Sequence, residues 1–160
     1  MDTGESSMTG GRVKRAQHLV GDKTFMLTYG DGLSNIDMIS QLKFHRTHGK
    51  AITMASVQPE GLFGTFEAME NGIVTNFLEK PKGEGSWVNG GFFICEPRVF
   101  DYIVGGDTIV FEHQPLQNLA RGGELVSYNH HGFWKCMDTL RDKKELNDLW
   151  VSGKAPWKIW

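Results

Sequence analysis

Apolar positions fall into short runs whose period changes along the chain. Thr24–Tyr29 is a mostly apolar run stopped by Gly30-Asp31-Gly32, the pattern of a buried strand ending at a turn. Ile36, Ile39, Leu42 and Phe44 then recur near helical spacing across Ile36–His48, and Gly49 stands where a helix would stop. Ala51–Val57 returns to an apolar strand. Strand, helix and strand in such close succession predict a right-handed parallel crossover. Upstream, Thr9 is placed to cap a helix over Gly10–Leu19.

Beyond Val57 the pattern becomes antiparallel. Phe66–Glu70 and Ile73–Glu79 flank Asn71-Gly72, a dipeptide that favours a two-residue type I′ hairpin. Gly90–Cys95 predicts another strand, Pro97 a short helix opened at its first position, and Pro115–Ala120 a further helix. Leu125–Tyr128 and Phe133–Met137 are the last strands. Thr139 then caps a charged helix to about Trp150, with Leu140, Leu146 and Leu149 as its apolar side. The tail, with Trp157 and Trp160, is expected to pack against the body. The fold class is α/β with a mixed sheet.

Composition narrows the function classes. A chain of 160 residues suggests one domain over 1–160, with the helix and Trp-rich tail at 139–160 as its last part. Five Trp and ten Phe supply large apolar side chains for a core. A formal charge of -2 gives no basic excess for nucleic acid. No apolar run approaches the roughly 20 residues of a membrane span, and the acidic start Met1-Asp2-Thr3-Gly4-Glu5 is unlike a signal peptide. Cys95 and Cys136 read as two buried thiols in a reducing cytoplasm.

Candidate chemistry gathers at strand ends. Asp31, between Gly30 and Gly32, closes an apolar strand, and ligands of open α/β sheets collect outside such carboxyl ends. On the tetrapeptide alone an ordinary turn is the slightly better explanation. Asp138 follows the apolar strand at Phe133 and precedes a helix, where it is either a helix-start acid or a second metal-binding carboxylate. Glu79-Lys80-Pro81 suits sugar hydroxyls and a phosphate, or is a charged turn. Asn89-Gly90-Gly91 allows close ligand approach, or is a simple loop. His45 and His48 are expected on a solvated helix face rather than on a metal. His130-His131 is expected to decorate a turn. Neither a Walker phosphate loop nor a dinucleotide fingerprint occurs.

Taken in order, Asp2-Thr3-Gly4, Ser7-Met8-Thr9-Gly10-Gly11-Arg12, Tyr29-Gly30-Asp31-Gly32, Phe63-Gly64, Glu79-Lys80-Pro81-Lys82-Gly83, Asn89-Gly90-Gly91-Phe92-Phe93, Met137-Asp138-Thr139 and Gly153-Lys154-Ala155-Pro156-Trp157 form one ordered set. It resembles the sugar-1-phosphate nucleotidyltransferases of the glucose-1-phosphate cytidylyltransferase type along essentially the whole chain. The resemblance implies a three-layer, Rossmann-like sheet with a mainly parallel core. It also implies transfer of a cytidylyl group from CTP to glucose 1-phosphate, giving CDP-glucose and pyrophosphate. Asp31 and Asp138 match acids that hold Mg²⁺ in the catalytic centre. Glu79 and Lys80 match the pair that holds sugar and phosphate, Asn89 matches a sugar-contacting residue, and Gly30, Gly32 and Gly90 complete the substrate wall.

Members of that family begin with a strand and a Gly-Gly-x-Gly-Thr-Arg loop that this sequence does not contain. One lost donor of that kind costs about 3–4 kcal/mol of transition-state stabilisation. The expectation is therefore a fold truncated at its N-terminus, inactive alone, with the Thr24–Tyr29 edge covered by a second copy in a homo-oligomer or by rearranged local structure. The alternative is a non-catalytic module that binds a sugar phosphate or nucleotide-sugar, or serves in assembly.

Overall fold

Why the apolar runs become a sheet is clear from where their side chains go in the computed structural model, which describes residues 1–59, 65–78 and 86–160. Two compact units divide these residues: Met1–Tyr29, Asp37–Ala55 and Gly91–Tyr128 in the first, Gly30–Ile36, Ser56–Gly90 and Asn129–Trp160 in the second.

β1 (Phe25–Leu27), β3 (Ile52–Val57), β6 (Val88–Cys95) and β7 (Leu125–Asn129) form a four-stranded sheet in the order β1-β6-β3-β7, most of whose residues fall in the first unit. β1 pairs antiparallel with β6, Phe25 opposite Cys95 and Leu27 opposite Phe93. Glu96 N–H donates to Ala51 O at 2.8 Å, so the end of β6 meets the start of β3 and that pair is antiparallel too. Ile52 N–H donates to Glu124 O at 3.1 Å, and His130 N–H to Ser56 O at 2.9 Å, which makes β3 and β7 parallel. Three strands thus share one direction and β6 opposes them. The predicted crossover through α3 (Met38–His48) keeps its sense, because β1 and β3 run the same way. They bracket β6 instead of pairing with each other.

Alternation along β3 sends neighbouring side chains to opposite faces. Ile52 joins Phe93, Cys95, Phe100, Phe111 and Leu119, all at most 1% exposed, under the 3₁₀ helix Pro97–Tyr102 and α4 (Gln114–Arg121). Thr53 faces α3. Helices therefore cover both faces, giving the three layers.

α1 (Thr9–Arg15) and α2 (Gln17–Val20) replace the single predicted helix. Thr9 does not cap it. Its Oγ1 accepts Phe111 N–H at 2.9 Å and donates to Glu112 at 2.7 Å, joining α1 to the segment before α4. Gly10 is required by packing: a Cβ there would lie 2.7 Å from Ile109 Cγ2 and 2.8 Å from its carbonyl oxygen.

His45 and His48 correct the expectation of a solvated face. His45 is 2% exposed. Lys50 N–H donates to His48 Nδ1 at 3.0 Å, so a neutral His48 carries its proton on Nε2, which lies 2.8 Å from Thr53 Oγ1. Thr53 can then give its own proton to His45 Nδ1 at 2.7 Å, and His45 Nε2–H reaches Glu96 Oε1 at 3.0 Å. Thr24 Oγ1 donates to the same carboxylate oxygen at 2.9 Å. One directional chain crosses from α3 through β3 to the end of β6.

Burial first, then the charges of His45 and Lys50, hold the His48 imidazole below its ordinary value. Burial pushes Glu96 up, but hydrogen bonds from Thr24 and His45, with Arg98 nearby, bring it below the usual carboxylate value. A base whose folded pKa is depressed leaves stability intact above its unfolded value of about 6.5 and erodes it as pH falls towards the folded value. The depressed carboxylate adds a second loss below about pH 4.3. Thermal melts are expected to show Tm falling in two steps on acidification, the first starting near pH 6.5. In His48→Gln that first step should shrink; an unchanged step would place its origin elsewhere.

In the second unit, β4 (Thr65–Ala68) and β5 (Val74–Leu78) make the expected hairpin, with Ala68 opposite Val74. Its turn differs from the prediction. Gly72 N–H returns to Met69 O at 2.8 Å, Met69 N–H donates to Ile73 O at 2.9 Å, and Gly72 has φ +83°. That is a three-residue Glu70-Asn71-Gly72 loop with glycine in the left-handed bulge position. β2 (Gly32–Ser34) pairs antiparallel with β8 (Trp134–Cys136), and α5 (Leu140–Val151) follows. Leu146 is the buried residue of α5, whereas Leu140 is 86% exposed and lies off the apolar side assigned to it. From the tail, Trp157 is buried and its ring sits 5.5 Å from that of Phe133. Trp160 stays exposed.

Candidate functional site

A three-residue ladder positions the two candidate acids. Gly32 lies opposite Cys136, Leu33 opposite Lys135 and Ser34 opposite Trp134. Asp31 extends the ladder by one step, its carbonyl oxygen accepting Met137 N–H at 2.9 Å. Asp138 follows Met137, two residues past the end of β8. The two carboxylates, remote in sequence, therefore stand at one end of the same antiparallel pair, both exposed. The other end is closed by Asn35, whose N–H donates to Phe133 O at 3.2 Å and whose Oδ1 accepts Phe133 N–H at 2.8 Å. Ser34 Oγ also donates to Phe133 O at 2.8 Å.

Local chemistry leaves Asp138 out of the helix start. Thr139 is the N-cap of α5, and its side chain and Asp142 form a reciprocal capping box: Thr139 N–H donates to Asp142 Oδ2 at 2.9 Å, and Asp142 N–H to Thr139 Oγ1 at 3.2 Å. Lys135 ties β8 to that helix through Glu145 and, at 3.8 Å, Asp142. Hydrogen bonds from Thr139, with Lys135 and Arg141 nearby, keep the Asp142 carboxyl below the usual range despite burial. The Asp138 carboxylate instead accepts the Cys136 thiol at 2.9 Å. Burial, then that hydrogen bond and the charge of Asp138, push the Cys136 thiol up to about 11. Cys136 therefore stays protonated at neutral pH, a donor to Asp138 rather than a nucleophile. Both cysteines are free; Cys95 is buried as expected, whereas Cys136, on a strand of a two-stranded pair, is only partly so.

Gly90 is buried on β6, where its carbonyl oxygen accepts Trp134 Nε1–H at 2.8 Å. Through Trp134 the Asn89-Gly90 segment is joined to the strand that leads to Asp138. A Cβ on Gly30 would meet nothing within 4 Å, so the backbone beside Asp31 is open to approach. His130 Nε2 lies 3.1 Å from Phe133 O, and the His131 ring packs edge-on to Trp87 at 5.1 Å. Glu79 and Lys80, with Phe63-Gly64 and Pro81-Lys82-Gly83, lie outside the described residues. Trp134, Lys135 and Cys136 escaped the sequence reading as supporting residues; the only local signal was their place immediately before Asp138.

A hard cation that takes its remaining ligands from water and phosphate oxygens would need the Asp31 and Asp138 side chains both turned to one side, because adjacent ladder positions alternate faces. Among the described residues no group of three or more His, Cys, Asp or Glu could hold a metal by itself.

The Nucleotidyl transferase family model matches residues 5–134. This chain belongs to that family. Over its whole length the member is 48% identical to the glucose-1-phosphate cytidylyltransferase of Salmonella typhi, and equally so to that of Salmonella typhimurium, in each case spanning 62% of the relative's length. Among solved structures, HddC from Yersinia pseudotuberculosis superimposes with a TM-score of 0.65 at 17% identity, over 89% of this chain and 62% of that one. At such low identity the likeness shows the shared fold. No helix among the described residues is long and apolar enough to cross a membrane.

Proposed function

We propose that this family member provides the metal and sugar-phosphate part of a glucose-1-phosphate cytidylyltransferase centre. The observation that supports the reading is the Asp31 O to Met137 N–H bond, which brings the backbones of Asp31 and Asp138 near one ladder end in a chain 48% identical to such enzymes. In the proposed reaction a phosphate oxygen of glucose 1-phosphate attacks the α-phosphorus of CTP. The bond to the β-phosphate oxygen breaks, CDP-glucose forms and pyrophosphate leaves.

Asp31 and Asp138 would hold Mg²⁺, which when bound neutralises charge on the phosphate oxygens. The chain's own residues do the remaining work. The Cys136 thiol orients one oxygen of Asp138. Trp134 fixes the Gly90 carbonyl, and with it the segment from which Asn89 would reach the sugar. Glu79 would accept from sugar hydroxyls and Lys80 would pair the phosphate. The open backbone at Gly30 and the small Gly32 let a bulky phosphate approach Asp31.

Calorimetric titration of CDP-glucose into the chain with Mg²⁺ tests this reading. The expected result is saturable heat that EDTA abolishes and that Lys80→Ala weakens by at least about tenfold, the loss of one charge-assisted phosphate contact. Absence of heat with CDP-glucose, or heat indifferent to both changes, would sink it.

A further inference from the structure

Helix α5 carries an outward stripe that the proposed reaction does not use. Leu140, Lys144, Asp148 and Val151 are spaced four, four and three residues apart, which puts them on one face of an α-helix. Leu140 is 86% and Val151 85% exposed. Lys144 and Asp148 are exposed and make no ion pair among the described residues. The other acids of the helix, Asp142 and Glu145, are turned to Lys135, and Leu146 is buried on a different face. The stripe is thus apolar, positive, negative, apolar, and its two apolar ends are open to solvent among the described residues.

Read from the opposite end, the stripe is its own complement. In an antiparallel pair of α5 helices about a two-fold axis, Leu140 meets the partner's Val151 and Lys144 meets the partner's Asp148. Symmetry repeats both contacts. In a parallel pair Lys144 would meet Lys144, so charge selects the orientation. Arg141 lies beside Asp148 on the same flank and adds a second cation near the partner's acid. An open depression of about 520 Å³, lined by Arg141, Lys144, Glu145, Asp148, Leu149 and Ser152, leaves room there for the partner's side chains.

We infer that the exposed face of α5 docks a second copy of this chain, helix against antiparallel helix, held by two Lys144–Asp148 pairs between two apolar end contacts.

Sedimentation equilibrium on the full chain tests it by charge exchange. Lys144→Glu and Asp148→Lys, each alone, face like charges at both symmetric contacts and should each weaken dimerisation by about tenfold or more. The double variant K144E/D148K restores opposite charges and should regain the dimer. Raising the salt should weaken the wild-type pair. Circular dichroism confirms that each variant keeps its helix. A chain that stays monomeric at all concentrations, an assembly indifferent to the single reversals, or a double variant no tighter than the singles would each overturn the inference.

Discussion

Asp31→Asn and Asp138→Asn, made singly, are expected to remove the Mg²⁺ dependence of nucleotide-sugar binding, each lowering Mg²⁺ affinity by more than about a hundredfold. Even partners that only orient a metal ligand cost about 10–100-fold when replaced. A carboxylate that itself touches the ion loses a full negative charge as well as an oxygen of the right basicity. Each acid lies just outside one of the two paired strands, so neither substitution removes a backbone bond of the ladder. Asp37→Asn is the control. Asp37 caps α3 through Ile39 and Ser40 N–H, a role asparagine also performs, so it removes a carboxylate without touching the ladder. The measurement is a Mg²⁺ titration at fixed CDP-glucose. A variant of Asp31 that retains full Mg²⁺ dependence while that of Asp138 loses it would show that the two acids do not share one ion.

What the sequence made legible was local. β3, β6, α3 and α5 lie close to where periodicity and caps put them, and the Thr139 cap is present with its partner Asp142. Long-range choices were not legible. Nothing in Gly32-Leu33-Ser34 reads as a strand; it becomes one because Trp134–Cys136 supplies its hydrogen bonds from far along the chain. The place of β6 between β1 and β3 is likewise a decision of the whole sheet. His45 has the polarity and spacing of an exposed helix residue, yet Thr53 and Glu96, both remote from it, satisfy its ring and permit burial. Leu140 shows the converse error. It fits the apolar period, but the capping box fixes the first turn of α5 so that this side chain faces solvent. At Asn71-Gly72 the dipeptide suited two turn types, and the hydrogen bond from Gly72 to Met69 selected the longer loop.

For Phe93→Ala the expected loss is about 3–5 kcal/mol, a large share of the 5–15 kcal/mol typical of whole domains. Phe93 is fully buried on β6, opposite Leu27 of β1. Its ring makes edge contacts with Tyr29 at 5.8 Å and Phe111 at 5.7 Å, so one side chain packs the sheet against both the end of β1 and the segment before α4. Removing it leaves a void that a sheet strand cannot easily collapse into, because its backbone is held by ladders on both sides. Phe93→Leu keeps most of the apolar volume and should lose much less. All three tyrosines fall in the first unit and all five tryptophans in the second, so the tyrosine near-ultraviolet signal reports on the damaged core directly. A Tm lowered by on the order of 10 °C at that signal is expected for a chain of this size. A fall of only a degree or two would mean that Phe93 is not enclosed, and that β6 does not lie between β1 and β3.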